Sequence, residues 1–394
     1  MNPVQALRNL DPGRAIRMAV GAWFLFALIV GIVVAVQPDK HTVTPEYRQA
    51  SEKWWGGTQS LYTTDQGGYL YLPQAAILYT PYQLLPKRVG EPLWRLTGLG
   101  LLALGLWRVS KLLDPSQKER LFLAATLLVI PSALSSARNG QVNLPLAGLF
   151  LLFVADLASF RWNSATLWLL LGVLLKPIAL APALLAAACF APLRLRLIGG
   201  FVICLAAAYL HPSSSFVTAE YHHFFQKFIL AGSPLVKDNF SDFFGMLWHW
   251  GIHPAPMIIS GCRALAAGLT LLFALLAMRS FSGNQLLQAF AVMLLAVLYL
   301  MLFNPRTEEN SYVMLAGFTA LLAARDFVSG MTQRGKWLAI FSLLLAVENY
   351  GFIYHLTKIW FKPLISSLFL VILVREKFSL VQSPSDNNHD LHHP

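Results

Sequence analysis

Residues 121–137 read LFLAATLLVIPSALSSA, residues 138–141 RNGQ, and residues 142–159 VNLPLAGLFLLFVADLAS. Two apolar runs, each near the roughly 20 residues that a helix needs to cross a bilayer, are separated by the turn Arg138-Asn139-Gly140-Gln141-Val142-Asn143. That is the pattern of an antiparallel pair of membrane helices with a polar tip. It recurs on both sides, so the whole chain reads as an all-α polytopic membrane protein.

Composition supports this. Only 12% of the 394 residues are charged and 56% are hydrophobic, where a soluble domain carries about 25% charged residues. With a mean hydropathy of +0.55, an ordinary soluble enzyme is excluded. The net charge of +11 arises from Lys and Arg at the ends of alternate apolar runs, as the positive-inside rule requires. No basic stripe with interleaved aromatics occurs, so nucleic acid is not an expected partner. Cys189, Cys204 and Cys262 lie in apolar stretches without metal-ligand spacing and read as packing residues.

Further apolar runs fall at Met18–Val36, Leu93–Val109, Leu197–Leu210, Pro256–Met278, Leu286–Phe303, Tyr312–Ala324, Trp337–His355 and Trp360–Val374. Two short runs, Ser164–Lys176 and Pro177–Ala191, meet at a Lys-Pro break. Together these predict about twelve crossings. Met18–Val36 lacks a small-x-small cleavage site and reads as a retained first helix. Arg108, Lys111, Arg161, Arg194, Arg279, Arg325, Arg334 and Arg375 then fall on one side, which predicts N-in/C-in topology in the cell (inner or plasma) membrane. Residues 1–380 form one domain, followed by a polar tail at 381–394 with His389, His392 and His393.

Two long loops, at 37–91 and 211–254, face the extracytoplasmic side. Within the first, Leu70–Pro86 is apolar but short and Pro-rich, and reads as interfacial or re-entrant. Trp54, Trp55, Tyr62, Tyr69 and Tyr71 offer rings able to stack on a sugar face, but most of them read as interfacial belt residues. His222, His223, His249 and His253 in the second loop have no zinc spacing. No Asp-x-Asp pair stands in the outer loops; no cofactor is called for, and a divalent cation is left open.

The ionisable groups that interrupt apolar runs are costly at membrane depth and therefore candidates for function. The Arg138–Asn143 turn, Lys176-Pro177, the segment Asn304–Tyr312 and Glu348-Asn349-Tyr350 all fall on the outer side. Arg138, Asn139, Gln141 and Asn143 offer a guanidinium and amides at a helix N-terminus, suited to phosphate or hydroxyls, or else cap and pack that helix. Lys176 either snorkels or binds phosphate. Arg306 offers a guanidinium fork, and Glu308 and Glu309 offer carboxylates for base work. Asn310 and Tyr312 complete that segment. In the first loop Asp39, Glu46, Glu52 and Asp65 are the available acids.

The run Arg138–Asn143, Leu171-Gly172-Val173-Leu174-Leu175 leading into Lys176-Pro177, and Arg194 with Arg196 resemble the core signature of glycosyltransferase family 87. Tyr47, Gly56-Gly57, Leu61-Tyr62 and Tyr69–Pro86 resemble the first loop of that family, and Phe303-Asn304-Pro305 with Tyr312-Val313 a later motif. The resemblance covers about residues 15 to 330. It implies a GT-C type fold and an enzyme that takes a sugar, mannose or a similar hexose or pentose, from a polyprenyl-phosphate donor. The acceptor is an extracytoplasmic lipid or glycan, the reaction proceeds with inversion, and a first-loop carboxylate is the base. The family's aspartate has no counterpart in His41-Thr42-Val43-Thr44, so Glu46, beside Tyr47, is the expected base, with Glu308 and Glu309 as the other carboxylates. Arg138, Lys176 and Arg306 are the expected phosphate ligands; Gln141, Asn143 and Asn310 position donor or acceptor. The rival expectations are a lipid-linked sugar flippase or secondary transporter, whose charged sites lie nearer the midplane, and a non-catalytic partner in envelope assembly.

Overall fold

The structure, a computed structural model, describes residues 3–63, 67–232, 240–347, 351–379 and 381. Asp65, Glu348-Asn349-Tyr350 and residues 382–394, with their histidines, lie outside the described residues. The chain is helical throughout, with no strand among the described residues. In order the helices are α1 (Pro3–Asn9), α2 (Pro12–Val36), α3 (Thr44–Gly56), α4 (Pro73–Gln83), α5 (Lys87–Leu113) and α6 (Lys118–Asn139). There follow α7 (Asn143–Ala158), α8 (Trp162–Leu175), α9 (Leu180–Cys189), α10 (Leu193–Ala207), α11 (Ser214–Gly232) and α12 (Phe243–His249). The last six are α13 (Pro256–Ser280), α14 (Gln285–Phe303), α15 (Val313–Ser329), α16 (Thr332–Leu344), α17 (Gly351–Thr357) and α18 (Phe361–Arg375).

Among the described residues, seven helical segments are long and apolar enough to cross a membrane, or eight if α17 and α18, bent by 67°, form one broken span. Asn143–Ala158, Trp162–Leu175 and Pro177–Cys189 are apolar but shorter. The run Trp337–His355, expected as one crossing, is instead divided: α16 ends at Leu344, and α17 opens separately at Gly351. Apolar composition alone did not signal that end.

The core forms around α7, α14 and α15, which are apolar on every side and buried along most of their length, as a helix at the centre of a large bundle must be. α5 lies against α7, and α6 against α15. The α5–α7 contact is close because it runs through glycine. A Cβ on Gly148 would stand 2.4 Å from the carbonyl carbon of Leu101, so no larger residue fits, as at small-residue seams between membrane helices. By contrast α10 and α13 leave large side chains such as Leu195, Val202, Met257 and Leu265 exposed. Faces of that size need lipid against them.

The two long loops clasp each other. On α11, buried Glu220 accepts the Leu61 N–H at 2.8 Å, and buried Lys227 donates to the Thr63 carbonyl at 2.9 Å. Trp54, Tyr62 and Tyr69 are buried in an aromatic core with Phe216 and Phe224, rather than standing at an interface; Trp55 remains exposed. Stacking rings on rings removes more apolar area than an interfacial position would. Leu70–Pro86 forms α4, packed between α3 and the start of α5.

Candidate active site

The site is built on the turn that joins α6 to α7. Gly140 ends α6 at φ +66°, and a Cβ there would meet Thr44 Cγ2 at 2.6 Å and Arg95 Nη2 at 2.9 Å. Only glycine combines that backbone with that clearance. Every carbonyl of residues 138–140 is then taken. Arg95 donates to the Arg138 carbonyl from Nε and Nη2 at 3.4 Å, the Val43 N–H reaches the Asn139 carbonyl at 3.1 Å, and Trp94 Nε1 reaches that of Gly140 at 2.8 Å. Arg95 is held in turn by Glu91, 2.8 Å away and 2% exposed, which also accepts from Tyr79 and Thr44. This buried network ties α3, α4 and α5 to the turn and leaves the side chains beyond it to turn elsewhere.

Those side chains reach residues far along the chain. Gln141 Nε2 donates to Glu308 Oε2 at 2.9 Å. Asn143 Nδ2 donates to Asn310 Oδ1 at 2.7 Å and to Ser311 Oγ at 3.0 Å, so its carbonyl oxygen points the other way and accepts from Lys176 Nζ at 2.9 Å. Lys176 can stand there because Pro177 ends the helix: α8 stops at Leu175 and Lys176 is extended, at φ −152°. Ser136 Oγ fixes the opposite segment by donating to the Asn310 carbonyl at 2.7 Å.

Beside this knot lies a cavity of about 420 Å³ whose polar lining includes Tyr71, Lys176, Arg263, Asn304, Arg306 and Glu308. Its size is that of a small-molecule site, which spans about 300–1,000 Å³. Arg306 holds φ at +94°, a strained conformation for a residue with a side chain, and such strain gathers at functional positions. Its Nε donates to the Ala231 carbonyl at 3.1 Å, and its guanidinium stands 5.8 Å from the centre of the Phe240 ring. Burial lowers its pKa without removing its charge. Tyr71 and Tyr47 share a hydroxyl contact at 3.1 Å. Burial above all, with the Glu308 carboxylate nearby, raises both phenols well above their ordinary value, so both stay protonated.

Of the residues expected from sequence, Lys176, Arg306 and Glu308 line the cavity, with Gln141, Asn143 and Asn310 directly behind them. Arg138 is exposed and does not line it, and Asn139 serves through its backbone. Glu46, in the first turn of α3, is exposed and also off the lining. Glu309 is half-buried, its carbonyl accepting from Lys362 Nζ at 2.9 Å. Tyr312 is fully buried and donates to the Ser241 carbonyl at 2.8 Å. Sequence reasoning missed Arg263, although an arginine inside the apolar stretch 256–278 is itself a signal. It also took Tyr71 for a belt residue and gave Glu91 and Arg95 no role. Among the described residues no three His, Cys, Asp or Glu side chains gather as a metal site.

Helices of this kind around a largely apolar cavity that carries three cations and one carboxylate suit a membrane enzyme acting on an anionic, hydroxyl-bearing substrate. The family model of glycosyltransferase family 87 matches residues 69–305, more than half of the chain. The chain belongs to glycosyltransferase family 87 and is thereby a membrane glycosyltransferase. No curated protein matches it. The match is narrower than the resemblance read from sequence. It contains the 138–143 turn and Lys176, stops one residue before Arg306, and leaves Glu46, Glu308, Glu309, Asn310 and Tyr312 outside.

Proposed function

We propose that the protein transfers a sugar from a polyprenyl-phosphate donor to the hydroxyl of an extracytoplasmic lipid or glycan acceptor, with inversion, and that Glu308 is the base. The observation that carries this is the meeting of Lys176, Arg306 and Glu308 in one cavity. The acceptor oxygen attacks the anomeric carbon, and the bond from that carbon to the phosphate oxygen breaks with its electrons passing to phosphate. The hydroxyl proton goes to Glu308, oriented by Gln141. A departing phosphate needs its charge neutralised, which Lys176 and Arg306 supply. Asn143 and Asn310 hold Lys176 in place. Glu46 approaches from the loop side, near enough for its charge to act on Tyr71, and is the alternative base.

The arginines at helix ends remote from the cavity (Arg108, Arg279, Arg325, Arg375) support the N-in/C-in arrangement of about twelve crossings, the short helices included. The test is transfer of labelled hexose from polyprenyl-phosphate hexose into envelope lipid by the purified protein. Glu308→Gln should lower the rate by about 10²- to 10⁴-fold, the span of general-base catalysis, while Glu46→Gln stays within a few-fold. The reverse ranking would move the base to Glu46. Labelled donor crossing vesicles with no new glycolipid would replace transfer by flipping.

A further inference from the structure

A third cation lines the cavity, and no motif points to it. Arg263 lies two turns into α13, a helix whose other residues from Pro256 to Met278 are uncharged. A guanidinium in such a helix is expected to be paired or to serve a ligand. Its pairing is thin. Nη2 reaches Asp242 Oδ2 only at 3.4 Å, the guanidinium stands 5.3 Å from the centre of the Phe244 ring, and Nε has no hydrogen-bond partner among the described residues. Asp242 is already committed elsewhere, its other oxygen accepting from Gly245 N at 2.6 Å to cap α12. A planar fork with donors to spare therefore borders a cavity.

A second observation says what kind of ligand. The cavity adjoins an apolar hollow of about 310 Å³ between α9, α13 and α14, and the two share Ala181, Leu184 and Tyr299. Ala267, one turn beyond Arg263 on the same face of α13, lines the hollow. Space that carries three cations thus runs directly into space without a charged group, and Arg263 stands near the junction. A ligand that fills both has a polar head and a hydrocarbon tail, and the anion joining them falls where Arg263 and Tyr299 are.

We propose that Arg263 binds the phosphate of a lipid phosphate at the point where the head ends, and that the hydrocarbon chain leaves along the hollow between α9, α13 and α14. This rests on the lipid-phosphate substrate proposed above. The test is equilibrium binding of undecaprenyl phosphate and of undecaprenol, the same chain without phosphate, to the full-length protein in nanodiscs. Wild type should prefer the phosphate by about tenfold or more, as loss of a charge-assisted contact implies. Arg263→Ala should lose most of that preference, and Arg263→Lys, which keeps the charge but not the fork, should lose less. Asp242→Asn, which can still cap α12, should keep it. Ala267→Phe, which fills the hollow, should weaken phosphate and alcohol alike.

If Arg263→Ala prefers the phosphate as strongly as wild type, the assignment fails while the lipid-phosphate substrate stands. Equal losses in Asp242→Asn and Arg263→Ala would reduce Arg263 to a partner of Asp242. No preference in wild type would sink the substrate reading itself. Should Arg263→Ala fail to fold, Arg263→Lys and Ala267→Phe carry the test.

Discussion

The two ends of the helical bundle use charge in opposite ways. At the end away from the cavity, Asp156, 1% exposed, takes both forks of Arg108, the indole N–H of Trp168 at 2.6 Å, and Arg161 at 3.9 Å. Asp326, fully buried, is held by Arg325 at 3.0 Å and by Arg334, whose Nη2 stands 2.8 Å away. There each carboxylate is saturated, and the arginines around it also close the packing. At the cavity end, among the described residues, Lys176 donates to one amide oxygen, Arg263 to one distant carboxylate oxygen, and Glu308 accepts from one amide. Charge placed among apolar helices therefore means different things at the two ends. Saturated charge stabilises a fold, while charge with donors to spare beside a cavity is available to a ligand.

That contrast can be broken by substitution. The largest effect belongs to the saturated end. Asp326→Asn leaves Arg325 and Arg334 without their carboxylate and should cost about 3–5 kcal/mol, as removing one member of a buried pair does. Thermal unfolding in detergent should show it, while transfer per folded molecule stays near wild type. Lys176→Ala should do the opposite, lowering transfer by about a hundredfold while stability falls by only about 1 kcal/mol for one hydrogen bond. Similar stability losses in both variants would erase the distinction.

The smallest effect sharpens the comparison at the cavity end. Burial raises the Asp242 carboxyl from its ordinary 3.8 to about 6, against the opposing pull of the Gly245 N–H and Arg263. The folded protein then holds that proton more tightly than the unfolded chain does. The stabilisation from Asp242 is complete below the lower value and is lost as pH rises through the upper one. The apparent Tm of wild type should fall between pH 4 and pH 7 relative to Asp242→Asn, and parallel profiles would remove the effect.

Much of the fold was legible because hydropathy and helix breaking are local. The runs 121–137 and 142–159, the break at Lys176-Pro177 and the glycine turn at 140 each follow from a few adjacent residues. The end of α16 at Leu344 was not legible, because it falls inside the apolar residues 343–347; the polar Glu348-Asn349-Tyr350 just beyond was the only local mark in that run. In the site, residue types announced Lys176, Arg306 and Glu308 individually, since charge at membrane depth is rare. Glu91 and Arg95 did not announce themselves: they stand four residues apart at a helix start, where an ion pair reads as solvated surface. Tyr71 and the buried ring cluster around Trp54 looked like interfacial aromatics for the same reason.

Sequence alone thus determined the solvent this protein folds in, the places where its helices must stop, and the chemical types available at those stops. Only tertiary structure decided which of them meet. Gln141 and Glu308 are 167 residues apart, and Asn143 and Asn310 are equally distant. Contact over such separations depends on how α7, α14 and α15 pack, and hydropathy carries no record of that. The choice of Glu308 over Glu46 as the carboxylate at the cavity, and the presence there of Arg263, follow from helix packing through the α5–α7 glycine seam and its neighbours. Local propensity sets each helix; the close fit of one helix against another sets the site.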